Sequence, residues 1–451
     1  MRRRWLAVPA SVMLVLVALI AANAIDDELS PQARELFTRP AVAFEAASAW
    51  ALIEGFHAPP GEDARAFAAA LRQASVRREA GRRKAAPVTA LEVRAPDELL
   101  CIPQEIDCVR VFAQRPESAS DLAVDNAVIM ARYEELLGSR GLADVVEVFD
   151  YYEAVMPHFS TVLRIQQVRL AQVAVSHSAG RTDQAIAWLE ADAAFHRRWL
   201  EEAGSILTKM LAVRTLSRDF LLAGQIARSG RELTPGQWAA LERVVAPLTQ
   251  AQRGMSPVIR VEATLFAGIL DEMIADSRTT SRIVESPRLA TAVAAATMRR
   301  NATLNFAQPQ FAAWMALDAA PSARIDEAVR DTEARVQRHL ERDWRWAYNY
   351  TGRAVVAEAR PQVSEYIYRV RDVDALAAVI RCAVVLRRDG VAPAAAAARV
   401  ATAAECVDPY EGKPLGWDAE RAEISYRARS PKQVNRFGGR GERVEFAAYL
   451  P

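Results

Sequence analysis

A chain of 451 residues, 51% hydrophobic and 25% charged, has room for two to four folding units and is too apolar for extended disorder. Its 57 Lys and Arg residues balance 56 Asp and Glu, and the net charge of +1 excludes a global field that would recruit nucleic acid. Only Lys84, Lys209, Lys413 and Lys432 are lysines, so the abundant arginine reads as genomic composition rather than as phosphate sites.

The first signal lies at the N-terminus. Arg2, Arg3 and Arg4 precede an uncharged, mainly apolar run over residues 5–24. That run is long enough to cross a bilayer as a helix. It also ends in Ala22-Asn23-Ala24, a signal-peptidase pattern. Two readings follow: a single-pass inner-membrane anchor, or a peptide removed after Ala24. Both leave the basic end in the cytoplasm and the body in the periplasm.

Gly is scarce at 19 residues, while Ala, Leu, Glu and Arg dominate. These are helix formers, so the expected class is mostly α, with antiparallel helical hairpins around one or two cores. Residues 25–119 read as a mixed N-terminal helical region, and residues 120–370 as the helical-hairpin core. There Ile165, Val168, Ala171 and Val175 recur at helical spacing. A turn follows at Ser178-Ala179-Gly180, then a second stripe of Ile186, Leu189, Ala193 and Leu200. Beyond Gly204, Ile206, Met210, Val213, Leu216 and Phe220 stripe a third helix. Thr234-Pro235-Gly236-Gln237 is a capping box with Pro at the first helical position, and it opens a fourth. Gly180, Ala185 and Ile186 stand in the order of a tetratricopeptide repeat, which this hairpin resembles over about one repeat. The resemblance implies stacked helical hairpins.

Residues 301–321 read as less regular. A charged helix follows, with Ile325, Val329, Val336 and Leu340 inward, and then an aromatic cluster of Trp344, Trp346, Tyr348 and Tyr350. Residues 371–451 read as a C-terminal helix plus a β-hairpin, with Ile424 and Tyr426 on one strand and Val444 and Phe446 on the other. The stretch Asp408-Pro409-Tyr410-Glu411-Gly412-Lys413-Pro414-Leu415 is similar to the closing segment of uncharacterised bacterial membrane-anchored helical proteins, D-P-F-x-G-x-P-L. The same helix-then-strand logic resembles type II secretion pseudopilins, although Leu386 and Ala392 stand where those families carry aromatics. The resemblance covers about 80 residues and implies no activity.

Cys101 and Cys108 are close in sequence, as are, less tightly, Cys382 and Cys406. No Cys has a partner at zinc spacing, so the expectation is two local disulfides and no metal. Pro103 biases the first pair toward a compact turn. The second pair requires the helix after Pro393 to stop early, because an unbroken helix would overshoot by roughly 10 Å.

Chemistry-bearing candidates are few. His196 shares the stripe of Ile186, Leu189 and Leu200. It is either a core-lining imidazole or a general base. Glu262 lies on one face with Val258, Leu265 and Ile269. It is either paired or shifted for acid catalysis. Asp271 and Glu272 sit further along the same helix, and with Glu262 they suggest a two-carboxylate glycosidase, although the sequence does not place them across a sugar. No nucleotide, cofactor or hydrolase motif is present. The expectation is therefore a non-enzymatic interaction or scaffold protein of the bacterial envelope, touching the inner membrane through residues 5–24, with protein partners there. The alternative is an envelope enzyme acting on glycan or peptide through Glu262 or His196.

Overall fold

The computed structural model describes residues 21, 23–38, 48–79, 91–139, 141–142, 159–279, 297–342, 344–358, 363–430 and 443–449. Of the 5–24 run only Ala21, Asn23 and Ala24 fall within them, and His158 lies outside. Among the described residues no helix is long and apolar enough to cross a membrane.

The chain is mostly α-helical with a small C-terminal sheet. The early helices are α1 (Pro31–Phe37), α2 (Ala49–Gly55), α3 (Ala64–Glu79), α4 (Cys108–Ala113), α5 (Pro116–Asp125) and α6 (Ala127–Leu137). Then come the long helices α7 (Phe159–Ser178), α8 (Thr182–Glu202) and α9 (Ile206–Arg228), followed by α10 (Pro235–Val244), α11 (Gln250–Arg253) and α12 (Ser256–Thr279). The remainder are α13 (Arg300–Met315), α14 (Ile325–His339), α15 (Tyr350–Glu358), α16 (Val363–Arg388) and α17 (Pro393–Thr402). Strands β1 (Gly416–Asp418), β2 (Glu423–Arg427) and β3 (Arg443–Ala447) close the chain. Packing groups these elements into two compact units. Unit 1 takes residues 1–41, 255–320 and 325–363, and unit 2 takes residues 42–254, 321–324 and 364–451.

Unit 2 is built around α7, α8 and α9, which pack as successive hairpins. The apolar stripes read from the sequence point inward: Ile165, Val168, Leu189, Leu200, Leu216 and Phe220 are all buried. Gly180, at φ +86°, makes the α7–α8 turn in the left-handed region that a side chain disfavours. α9 opens on a capping box in which Ser205 Oγ accepts the Thr208 N–H, and the Ser205 N–H reaches Thr208 Oγ1 at 3.1 Å. α10 opens on the expected one, with Thr234 N–H donating to Gln237 Oε1 at 2.9 Å. From Leu211 to Ala227 nearly every residue of α9 is buried, so this helix is the centre of the unit rather than an amphipathic cover.

The two cysteine pairs lie at disulfide distance, with Cα separations of 5.6 Å for Cys101–Cys108 and 4.8 Å for Cys382–Cys406. The second pair is reached because α17 stops at Thr402 and Ala403 turns extended, at φ −77° and ψ 130°. Beyond it the sheet runs in the order β1-β2-β3, all antiparallel. The expected hairpin is β2–β3, with Ile424 opposite Phe446 and Tyr426 opposite Val444. β1 is an added strand that the sequence pattern did not reveal. Gly224, near the C-terminal end of α9, makes room for this module, since a Cβ there would lie 2.5 Å from the Phe446 ring. Asp372 of α16 anchors it from the other side. Its carboxylate accepts the Tyr410 hydroxyl at 2.7 Å and the Arg429 and Ser430 N–H groups at 3.0 and 2.9 Å.

In unit 1, α13 runs unbroken where the sequence looked irregular, with Pro309 inside it. Burial of Leu304, Ala307, Phe311 and Trp314 outweighs the hydrogen bond that proline removes. α14 buries Ile325, Val329 and Val336, with Leu340 just past its end, as expected.

Two measurements test this architecture. Loop closure over sequence separations of 7 and 24 contributes about 2.5 and 3.5 kcal/mol in the chain-entropy model. Replacing both Cys382 and Cys406 by Ala should therefore lower the melting temperature more than replacing Cys101 and Cys108, and non-reducing peptide maps should show the two local pairs. Burial pushes the Asp372 carboxyl up from 3.8 to about 6. Its folded value exceeds its unfolded one, so its contribution is full below pH 3.8 and is lost as pH rises through about 6, a change of about 3 kcal/mol. Urea titrations between pH 4 and 7 should show this slope in the wild type and lose it in Asp372→Asn. That variant should also be less stable at pH 4, because Ser430 N–H loses its acceptor.

Candidate functional site

The sequence candidates resolve into a buried polar layer in unit 2 and a half-buried carboxylate in unit 1. His196 sits on the inner face of α8 with no exposed surface. Its Nδ1 lies 2.6 Å from Asp219 Oδ2 on α9, a charge-assisted hydrogen bond in an apolar setting. Gln166 of α7 donates through Nε2 to Asp219 Oδ1 at 3.0 Å and to the Thr215 carbonyl at 2.9 Å. Arg218 donates to Gln166 Oε1 at 3.1 Å and to the Leu163 carbonyl. On the far side the Tyr133 hydroxyl stands 3.5 Å from His196 Nε2. Both imidazole nitrogens therefore face protein groups.

A second carboxylate, Asp192, lies one turn before His196 on α8 and is also fully buried. Its charged neighbour is Arg169, whose Nε is 3.9 Å away and whose Nη2 pairs with Glu134. Arg169 also lies over the Trp188 ring. Burial raises Asp192 well above the usual carboxylate range, with the Asp219 charge adding to the effect. Burial likewise raises Asp219, against the opposing pull of His196. Tyr133 is held neutral by burial and by both carboxylates. His196, Asp192 and Asp219 are all without exposed surface, so none of them presents its acid–base atoms to solvent.

Glu262 lies on α12, half-buried, in the other unit. The glycosidase arrangement does not form. Asp271 follows Glu262 by nine residues, about 13.5 Å along a helix, beyond the spacing of such pairs. Asp271 is half-exposed and paired with Arg300 at 2.5 Å. Of the aromatic cluster, Trp346 is buried edge-on to Phe306, and Tyr348 bonds Asp27 through its hydroxyl. Those two side chains are committed to packing within unit 1.

A surface cleft of about 270 Å³ opens beside the Cys101–Cys108 loop, lined by Asp107, Arg110, His177, Gln225, Ser229 and Arg231. Sequence reading did not single out these residues, because they come from three helix ends. His177 is bonded to Thr182 Oγ1 at 3.2 Å and Ser229 Oγ at 2.8 Å. Burial, and then the Arg231 charge, push it down to about 4, so it is neutral at physiological pH. Gln225 takes the Cys108 N–H at 2.9 Å and donates to the Pro103 and Ile106 carbonyls, which ties the disulfide loop to α9. Among the described residues no group of three His, Cys, Asp or Glu side chains is placed to hold a metal ion. No family model, curated protein or solved structure matches the chain.

His196→Ala measures what the buried pair contributes. It leaves the Asp219 charge without its partner, and the expected loss at pH 7 is about 3–5 kcal/mol. Without His196 the Asp219 value rises further above its unfolded one, so stability is lost as pH rises and regained as pH falls. The deficit against wild type should narrow between pH 7 and pH 5 in denaturant titrations. An equal deficit at both pH values would refute the pairing.

Proposed function

We propose that this chain is a bacterial envelope protein with a periplasmic body that works as a non-enzymatic scaffold for protein partners. The observation that carries the reading is the sealing of His196: both ring nitrogens are engaged and neither it nor Asp219 reaches solvent. The two local cysteine pairs at bonding distance suit an oxidising compartment. The basic n-region and the apolar run over residues 5–24 supply the route to it.

The compartment is tested by trapping thiols in intact cells with a mass-tagging maleimide. All four cysteines should resist labelling until reductant is added. Four reactive thiols in protein taken directly from cells would sink the periplasmic assignment. The absence of catalysis is tested by Glu262→Gln and by His196→Asn, which keeps a polar side chain beside Asp219. Each variant that folds should retain cellular function. A folded variant with none would favour the enzyme reading, in which that residue acts on glycan or peptide.

A further inference from the structure

Unit 1 is assembled on its own first described residues. Asn23 is 2% exposed. Its Oδ1 accepts the Asn349 N–H at 2.8 Å and its Nδ2 donates to the Ala347 carbonyl at 3.0 Å, so both ends of the amide are used. Asn349 stands at φ +54°, a left-handed conformation that must be held by its surroundings. Its side chain accepts the Arg299 N–H at 2.8 Å and donates to Thr303 Oγ1 at 3.0 Å. Gly352 is pressed against the same pair: a Cβ there would lie 1.9 Å from Thr303 Oγ1.

The residues that follow Asn23 are bonded in the same way. Asp26 caps α13, its two oxygens taking the Asn301 and Ala302 N–H groups at 2.9 and 3.0 Å. The Tyr348 hydroxyl donates to Asp27 Oδ1 at 2.9 Å. Asn305 accepts the Ser30 N–H and donates to the Glu28 carbonyl, both at 2.9 Å. From Asn23 to Ser30 the chain is therefore part of unit 1, and the clasp begins inside the Ala22-Asn23-Ala24 pattern.

We infer that Ala24 is not a processing point: Asn23 is a structural residue of unit 1, and the mature chain keeps it together with the apolar run before it. A cut after Ala24 would leave the buried Asn349 N–H without its acceptor and remove the part-buried bond to the Ala347 carbonyl. The inference rests on the envelope reading. It adds that the tether has no free linker: the apolar run ends at Ala24, one residue past Asn23, which is already bonded into unit 1. The turn at 347–349 is then held at the lipid surface.

The test is made on the full chain extracted in detergent from envelope membranes. Its intact mass should include residues 5–24, and it should resist carbonate extraction. Asn23→Ala should lower the melting temperature by about 5 °C, from the loss of one buried and one part-buried hydrogen bond. It should also speed hydrogen exchange of the Asn349 amide more than that of amides in the α12 interior. A mature chain beginning at Ile25, or at any residue after the apolar run has been cut, overturns the inference. So does an Asn23→Ala variant with unchanged melting and unchanged Asn349 exchange. Failure of the envelope reading itself shows separately, as four free thiols in cells.

Discussion

The Asp219 carboxylate is the constraint around which unit 2 is arranged. A carboxylate with no exposed surface is costly unless its oxygens are bonded, and here His196 takes Oδ2 and Gln166 takes Oδ1. Those partners come from α8 and α7, so one carboxylate fixes the mutual register of three long helices. Apolar stripes alone tolerate sliding by a turn, because Leu and Val contacts are interchangeable. A 2.6 Å imidazole–carboxylate bond is not.

The arginine content acquires a physical explanation from the same region. Arg132 donates to the Phe56, Ala58, Pro59 and Glu62 carbonyls at the end of α2 and the turn after it. Arg197 donates to the Val244 and Ala246 carbonyls at the end of α10 and lies over the Phe220 ring. Lys209 serves the Leu200 and Gln252 carbonyls. Helix ends leave carbonyls without partners, and a chain of many short helices has many ends. Planar guanidinium groups with several donors satisfy two or more carbonyls at once. Much of the buried positive charge is thereby committed to backbone, which is why an arginine-rich composition need not mark an anion site.

What the sequence disclosed was local in origin. The stripes of α7, α8 and α9, the capping box at Thr234, the Gly180 turn and the two cysteine pairs each depend on residues within about 25 positions of one another. Period and spacing report such features directly. The His196–Asp219 pair was half visible: the stripe placed His196 inside, but nothing in the spacing of separate helices tells which carboxylate meets it. Asp192, Asn23 and the cleft residues His177 and Gln225 were missed for the same reason. Pro309 misled because its local penalty is real and only tertiary burial overrides it.

The distribution of bond types with sequence distance follows from loop-closure entropy. The disulfides join residues 7 and 24 positions apart and so stiffen structures that short-range geometry already favours. The longest closures are non-covalent, some apolar, as where the Phe37 and Phe311 rings meet, and others polar. Asn23 meets Asn349 across 326 positions, and Arg228 of α9 meets the Ala447 carbonyl of β3 across 219. Closing such spans costs entropy that grows only with the logarithm of length, so a modest set of bonds suffices once the hairpins exist. Each closure also carries a steric key. Gly352 lets the Asn349–Thr303 contact form, and Gly224 leaves the space that the Phe446 ring fills. A side chain at either glycine would meet atoms closer than 3 Å, so these two positions add a steric requirement to the register that the buried polar contacts set.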